Sequence, residues 1–274
     1  MKSVAASVGK YTSLVIGSIV MLLPIALIIT GSFKTNQELL STGSFTPPEN
    51  WFNFSNYAAA FSRGGMLLGF GNTAIILAAA ITGTILIGAA AAYALDRFEF
   101  RIRGVVMGLF LLATLVPGVT TQVATFQIIN GLGLYNTHGA LILLFMGTDI
   151  VSIYIFIQFM RSIPKSLDEA AKLDGAGHLR IFFQVILPNL KPAIATVVII
   201  KGIGIYNEFY MPFLYLPNPD LRPISTALFA FKGPFGAQWE IISAGVVITI
   251  IPILVLFLFL QRYIYNGFTS GATK

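Results

Sequence analysis

The chain has 274 residues, 56% of them apolar and only 10% charged, with a formal net charge of +6 and no cysteine. A water-soluble domain carries about a quarter charged residues, so much of this surface is expected to face lipid. The lack of cysteine excludes disulfides, thiolate metal sites and cysteine nucleophiles. Basic residues that sit between apolar runs, without interleaved aromatics, argue against a nucleic-acid partner.

Six apolar runs are long enough to cross a hydrocarbon core, which takes roughly 20 helical residues. They lie near 11–31, 69–95, 104–124, 138–160, 193–214 and 241–262, and in lipid each must satisfy its own backbone, hence as helix. The reading is all-α transmembrane. Pro24, Pro117, Pro212 and Pro252 fall inside these runs, and each is expected to kink its helix. The first run follows Lys2 and Lys10 and ends in Ile28-Ile29-Thr30-Gly31-Ser32-Phe33-Lys34. No small-residue cleavage site closes it, so it reads as an uncleaved signal anchor.

Twelve Lys and Arg residues lie in the N-terminal, even-numbered and C-terminal segments, against four in the alternating ones (Lys34, Arg63, Arg222, Lys232). The excess places both termini in the cytoplasm. The expected organisation is an N-terminal anchor helix and outer loop over 1–68, a core over 69–262 and a tail over 263–274. The outer loops near 32–68, 125–137 and 215–240 are respectively long and polar, uncharged, and rich in proline and glycine.

The cytoplasmic loop 161–192 is too long for a plain connector. Ser166 and Glu169 have capping-box spacing, Asp168 and Glu169 complement a helix N-terminus, and Gly175 is placed to stop the helix. Small Ala170 and Ala171 let another surface come close. Ile181, Phe182, Val185 and Ile186 then recur at helical spacing, and Leu187-Pro188 is expected to end that segment. Such a helix–turn–helix cannot bury itself within the loop; it needs the membrane surface or a partner protein.

Glu169-Ala170-Ala171, three residues, Gly175, nine residues, Val185, then Leu187-Pro188 resembles the EAA signature of ABC importer permeases, with Val185 where the family usually has isoleucine. Ala91-Ala92-Tyr93-Ala94-Leu95 with Arg97, Gly131-Leu132-Gly133-Leu134-Tyr135-Asn136-Thr137 and the tail Gly267–Lys274 are also similar. The resemblance is to the carbohydrate-uptake branch, in particular the smaller maltose-type inner-membrane permease with the type I fold. It implies a coupling helix docked in an ATPase cleft. Ser166, Glu169, Ala170, Ala171, Asp174, Gly175, Leu187 and Pro188 belong to that element. Glu169 is implied to meet a basic residue, the two alanines to face the cleft wall, and residues 267–274 to reach between the ATPase subunits. The implied partners are a second permease, two ATP-binding-cassette ATPases and an extracytoplasmic sugar-binding protein, besides membrane lipid.

There is no G-x-x-x-x-G-K-[ST] phosphate loop. This chain is therefore not expected to be an enzyme or to carry a cofactor; ATP and Mg are expected on the partner ATPases. His138 and His178 lack metal-ligand spacing, and no metal is expected.

Polar residues in spans face cavities or one another. Asp149 in span four and Lys201 in span five have similar expected depth and are read as an intramembrane pair. Tyr206, Asn207, Glu208 and Tyr210 are read as a substrate path, supplying hydrogen bonds to sugar hydroxyls and aromatic faces to rings. The other reading makes the tyrosines interfacial anchors and Asn207 helix-packing glue; where Tyr206 stands, the family commonly has tryptophan. The function so implied is ATP-driven import of a sugar, an oligosaccharide foremost, by alternating access. Alternatives are an importer for glycerol-phosphate or another polyol, an ion-coupled carrier, and a non-transporting scaffold. An ion-coupled carrier calls for several intramembrane carboxylates and often repeats, and this sequence offers Asp149 and Glu208 and no repeat.

Overall fold

Three of the six apolar runs form single helices and three are broken, one of them at Pro117. The computed structural model describes residues 2–147, 149–233 and 236–272, with side chains from 7 to 259 among them. Among the described residues, three helices are long and apolar enough to cross a membrane on their own, and up to six spans result if each bent pair counts as one. The unbroken ones are α1 (Lys2–Phe33), α4 (Met66–Arg97) and the last helix, α13 (Trp239–Ala272). Pro24 and Pro252 lie within α1 and α13 without ending them.

The third span is not one helix as expected. It is α5 (Arg103–Thr114) and α6 (Gly118–Gly131), set at 101°. Pro117 disfavours helix at Val116 and has no N–H to continue the ladder, so it becomes the N-cap of a new helix. Because α6 extends to Gly131, the loop before span four shrinks to 132–137. Span four is split into α7 (His138–Met146) and α8 (Ile150–Met160). The hook that follows comprises α9 (Ser166–Leu173) and α10 (His178–Asn189). A 73° bend at Leu190 separates α10 from α11 (Lys191–Asn207), and α12 (Tyr210–Tyr215) completes span five.

Helices in lipid gain little from apolar burial alone and associate through close packing. In α4, Ala80, Thr84, Gly88 and Ala92 recur every fourth residue and are all buried. A methyl on nearby Gly83 would stand 2.9 Å from the Met146 Cβ, so α7 packs directly on the α4 backbone. Towards the other end, Ala89, Ala92, Tyr93 and Leu95 pack with Ile153, Phe156, Ile157 and Met160 of α8 and with Ile181, Phe182 and Ile186 of α10.

The chain forms two units: Met1–Leu67 with Thr226–Val255, and Leu68–Ser225 with Leu256–Lys274. Sequence-based boundaries at 68 and 262 kept the last span whole; the units divide it. In the first unit α2 (Asn36–Ser41) begins with a capping box between Thr35 and Glu38, and α3 (Ser55–Arg63) follows. The Glu38 carboxylate accepts the Thr35 and Glu49 backbone N–H at 2.6 and 2.9 Å, and these bonds hold its pKa below the usual carboxylate value. Lys34 is buried, donating to the Thr42 hydroxyl and the Gly43 carbonyl. Two short strands, β1 (Lys232–Gly233) and β2 (Gly236–Ala237), pair antiparallel, a small addition to an otherwise helical molecule.

Candidate functional site: the hook and the polar centre of spans four and five

The hook begins on Pro164 and Lys165. Lys165 is helical in its dihedrals and acts as N-cap without a side-chain bond. Ser166 therefore already lies inside α9, and the expected capping box with Glu169 does not form. Asp168 does more than complement the helix end: it is buried, with its Oδ2 2.7 Å from Arg97 Nε at the end of α4. The Arg97 N–H is not aimed at that oxygen and Asp168 Oδ1 accepts no hydrogen bond, so the contact is a charge pair rather than an aligned bond. Arg97 also donates to the Ile163 carbonyl at 2.8 Å and to Asp96 Oδ2 at 2.9 Å, while Arg161 approaches Asp96 at 3.9 Å.

Gly175 ends α9 with φ +80°. The Gly175 N–H bonds the Lys172 carbonyl and the Ala176 N–H bonds the Ala171 carbonyl, which together form a Schellman closure. A methyl at Gly175 would meet nothing within 4 Å, so glycine stands there for its backbone and not for space. Ala171 and Ala176 pack inward on the α4–α8–α10 cluster. Glu169, Ala170 and Asp174 are exposed, and so are two large apolar groups the sequence reading passed over: Leu173 at 90% and Leu179 at 77%. The two expected cleft-facing alanines thus point differently, Ala170 outward and Ala171 into the protein's own core.

Leu187-Pro188 does not end α10, as was expected. Residues Phe182–Ile186 form a π turn, with the Leu187 N–H on the Phe182 carbonyl, and the helix continues to Asn189. Proline cannot donate at 188 and its ring crowds the carbonyl four residues back; the wider turn relieves both. Pro188 is exposed, Leu187 half-buried, and Phe182 packs against the Tyr93 ring.

Lys201 of α11 stands 3.3 Å from Asp149, which begins α8 at the break in span four, and both are largely buried. Ser152 donates to the same Asp149 Oδ2 at 2.5 Å. On the other side of the break, the Thr84 hydroxyl of α4 reaches the Phe145 carbonyl at 3.4 Å.

At the end of α11, Tyr206 is half-buried and Asn207 is exposed, its amide donating to the Ile203 carbonyl. Glu208 separates α11 from α12. Its Oε1 accepts the backbone N–H groups of Tyr210 and Met211 at 2.9 and 3.1 Å, so this oxygen satisfies the first turn of α12. Tyr210 is half exposed, and its hydroxyl is bonded by Gln122 of α6. Gln122 of the broken third span, absent from the sequence reading, is thus brought to Tyr210 of span five. Among the described residues, no three His, Cys, Asp or Glu side chains are grouped to hold a metal ion. Part of the tail segment 267–274, and all of its side chains, lies outside the described residues.

Residues 84–269 match the family model described as binding-protein-dependent transport system inner membrane component. The chain is 32% identical over 256 residues to the melibiose/raffinose/stachyose import permease protein MelC of Bacillus subtilis (strain 168), covering 92% of this chain and 91% of that one. It is 31% identical over 268 residues to the diacetylchitobiose uptake system permease protein NgcG of Streptomyces coelicolor, with coverage of 97% and 88%. Among solved structures, it matches a chain of a bacterial ABC transporter involved in import of the acidic polysaccharide alginate. That match has a TM-score of 0.83 at 20% identity and covers 96% and 98% of the two chains.

Proposed function

The chain belongs to the binding-protein-dependent transport system inner membrane components, and from that premise we propose that it is the permease subunit of an ATP-driven importer whose cargo is an oligosaccharide. It has the type I importer permease fold. The proposed complex holds a second permease, two ATP-binding-cassette ATPases and an extracytoplasmic binding protein, with both termini of this chain in the cytoplasm. ATP and Mg act on the ATPases; this chain supplies the path and the coupling element.

One observation carries the reading: α9 is closed at its C-terminus by Gly175 and fixed on its inner flank to the span cluster, while Glu169, Ala170, Leu173 and Asp174 stay exposed. An exposed face of that kind, with a Leu at 90% exposure, fits a protein cleft. ATP binding draws the ATPases together and moves the two hooks; the spans exchange inward-open for outward-open access. The binding protein delivers sugar to the outward-open state, and hydrolysis returns the spans. Each ligand acts only through its preference for one state. Oligosaccharide cargo is favoured by relatives named for melibiose, raffinose and stachyose import and for diacetylchitobiose uptake. The half-exposed Tyr210 with Gln122 and Asn207 supplies the aromatic face and amide groups that sugars need.

The test is uptake in proteoliposomes holding this chain with its co-encoded permease, ATPases and binding protein. ATP-dependent accumulation of a labelled oligosaccharide, lost when the ATPases are omitted, is the expected result. Uptake that persists without ATPase and follows an ion gradient would establish the carrier reading instead.

A further inference from the structure

Span two is tied at both ends to segments outside it. At its C-terminal end Arg97 holds Asp168 of α9 and the Ile163 carbonyl of the segment entering the hook. At its other end buried Asn72 donates to the Asp220 and Arg222 carbonyls at 2.8 and 3.0 Å. Its neighbour Thr73 accepts the Ile224 backbone N–H at 2.9 Å. The segment so held, 216–225, is braced further: Asn136, at φ +60°, takes the Asn218 N–H, and His138 meets the Leu221 carbonyl at 3.1 Å. Twenty-five residues separate Asn72 from Arg97, about 38 Å along the axis at helical rise. No proline interrupts α4; spans three, four and five are all broken.

We propose that α4 is a transmission rod, which moves the hook and the 216–225 segment together, with Arg97 and Asn72 as its positioning residues. This rests on the importer reading above and names the route of its coupling. The covalent links of α9 run through Ser162–Lys165 and the Gly175–Gly177 stretch, whose turns and glycines take up displacement. The Arg97 guanidinium bypasses them, since it grips the entering segment and the helix at once. A displacement of α9 therefore appears at Asp220–Ile224, and loading at that segment appears at the hook, by the reciprocity of coupled sites.

The experiment uses the full reconstituted complex and reads two ratios: solute moved per ATP hydrolysed, and ATPase rate with over without loaded binding protein. Asp168→Asn, Arg97→Gln and Asn72→Ala are each expected to lower both ratios by roughly two- to thirtyfold. The double variant Arg97→Gln/Asn72→Ala is expected to lose no more than the worse single, because one rod is cut either way. Fully additive losses overturn the proposal. A parallel measurement keeps every contact: the chain has no native cysteine, so spin labels go on exposed Ala94 with Lys172 and on exposed Ala74 with Asp220. Both distances are expected to be the same in nucleotide-free and ATP-trapped complexes. If either changes while transport continues, the rod is wrong even where the variants fail to assemble. Absence of ATP-driven uptake in the unaltered complex would instead count against the importer reading itself.

Discussion

Lys201 Nζ in span five lies 3.3 Å from Asp149 Oδ2, at the point where span four is broken. A buried pair of this kind is weak evidence of net stability, but removing one partner strands the other charge at about 3–5 kcal/mol. Asp149→Asn and Lys201→Met are each expected to lower the unfolding midpoint in detergent and to cut uptake. Asp149→Asn combined with Lys201→Met is expected to recover most of the loss. If the double variant is as unstable as the sum of the singles, the two charges do not act as a pair.

Gly175 closes the hook helix at φ +80° with open space where a side chain would be. The penalty of substitution is then one of backbone, about 1–2 kcal/mol for an ordinary L-residue. Gly175→Asn is expected to be milder than Gly175→Val, since asparagine tolerates this region. Co-purification of the ATPases and ATP-dependent uptake should follow that order. Equal damage from both would point to a steric cause.

Leu173 is 90% exposed beside Glu169 and Ala170. Burying a leucine stabilises an interface by about 1.5–3 kcal/mol, roughly ten- to a hundredfold in Kd. Leu173→Ala should weaken ATPase binding by that order without lowering the unfolding midpoint of the isolated permease. A titration of ATPase onto permease in nanodiscs checks it.

Gly83 lets the α4 backbone meet Met146, with only 2.9 Å available for a methyl. Gly83→Ala is expected to cost about 1–3 kcal/mol by overpacking, and Gly83→Val more. Adding Met146→Ala removes the Sδ and Cγ contacts at 3.0 and 3.4 Å but keeps the Cβ at 2.9 Å, so it should return only a minor part, measured as the detergent unfolding midpoint. Full recovery would mean that the side chain beyond Cβ, and not the close approach of the two backbones, sets the limit.

Glu38 is held below the usual carboxylate value by the Thr35 and Glu49 N–H groups. A depressed folded-state pKa contributes stability that is complete above the unfolded value and is lost as pH falls through the folded one. Amide protection factors over 36–50, corrected for the intrinsic pH dependence of exchange, are therefore expected to fall on acidification in that window. Glu38→Gln should remove that pH dependence of protection; an unchanged profile would place the titrating group elsewhere.

The long apolar helices were legible because continuous hydrophobicity needs no tertiary information; the Asp149–Lys201 proximity followed from depth alone. The breaks were less so. Pro117 was visible, yet a proline can bend a helix or end it, and only neighbouring backbone decides: Pro24 and Pro252 sit within continuous helices. The Ser166–Glu169 spacing misled because Lys165 enters with helical dihedrals, which moves the cap one residue earlier. Asp168 and Arg97 are distant in sequence, and nothing local marks their pairing. Glu208 reads as a path residue by charge, and its Oε1 also accepts two backbone N–H groups at the break in span five, a use that charge alone does not reveal.

The π turn at Phe182–Ile186 carries one residue more than an α-helix of the same length would. Each residue of ordinary helix turns the chain by about 100°, and the wide turn absorbs its surplus residue locally, so the faces of α10 before and after it stay in register. Deleting a single residue there is expected to restore ordinary helix with those faces kept, whereas a deletion inside α11 would rotate the side chains beyond it, Lys201 included. Single-residue deletions are therefore expected to be better tolerated in this short stretch than in Lys191–Asn207.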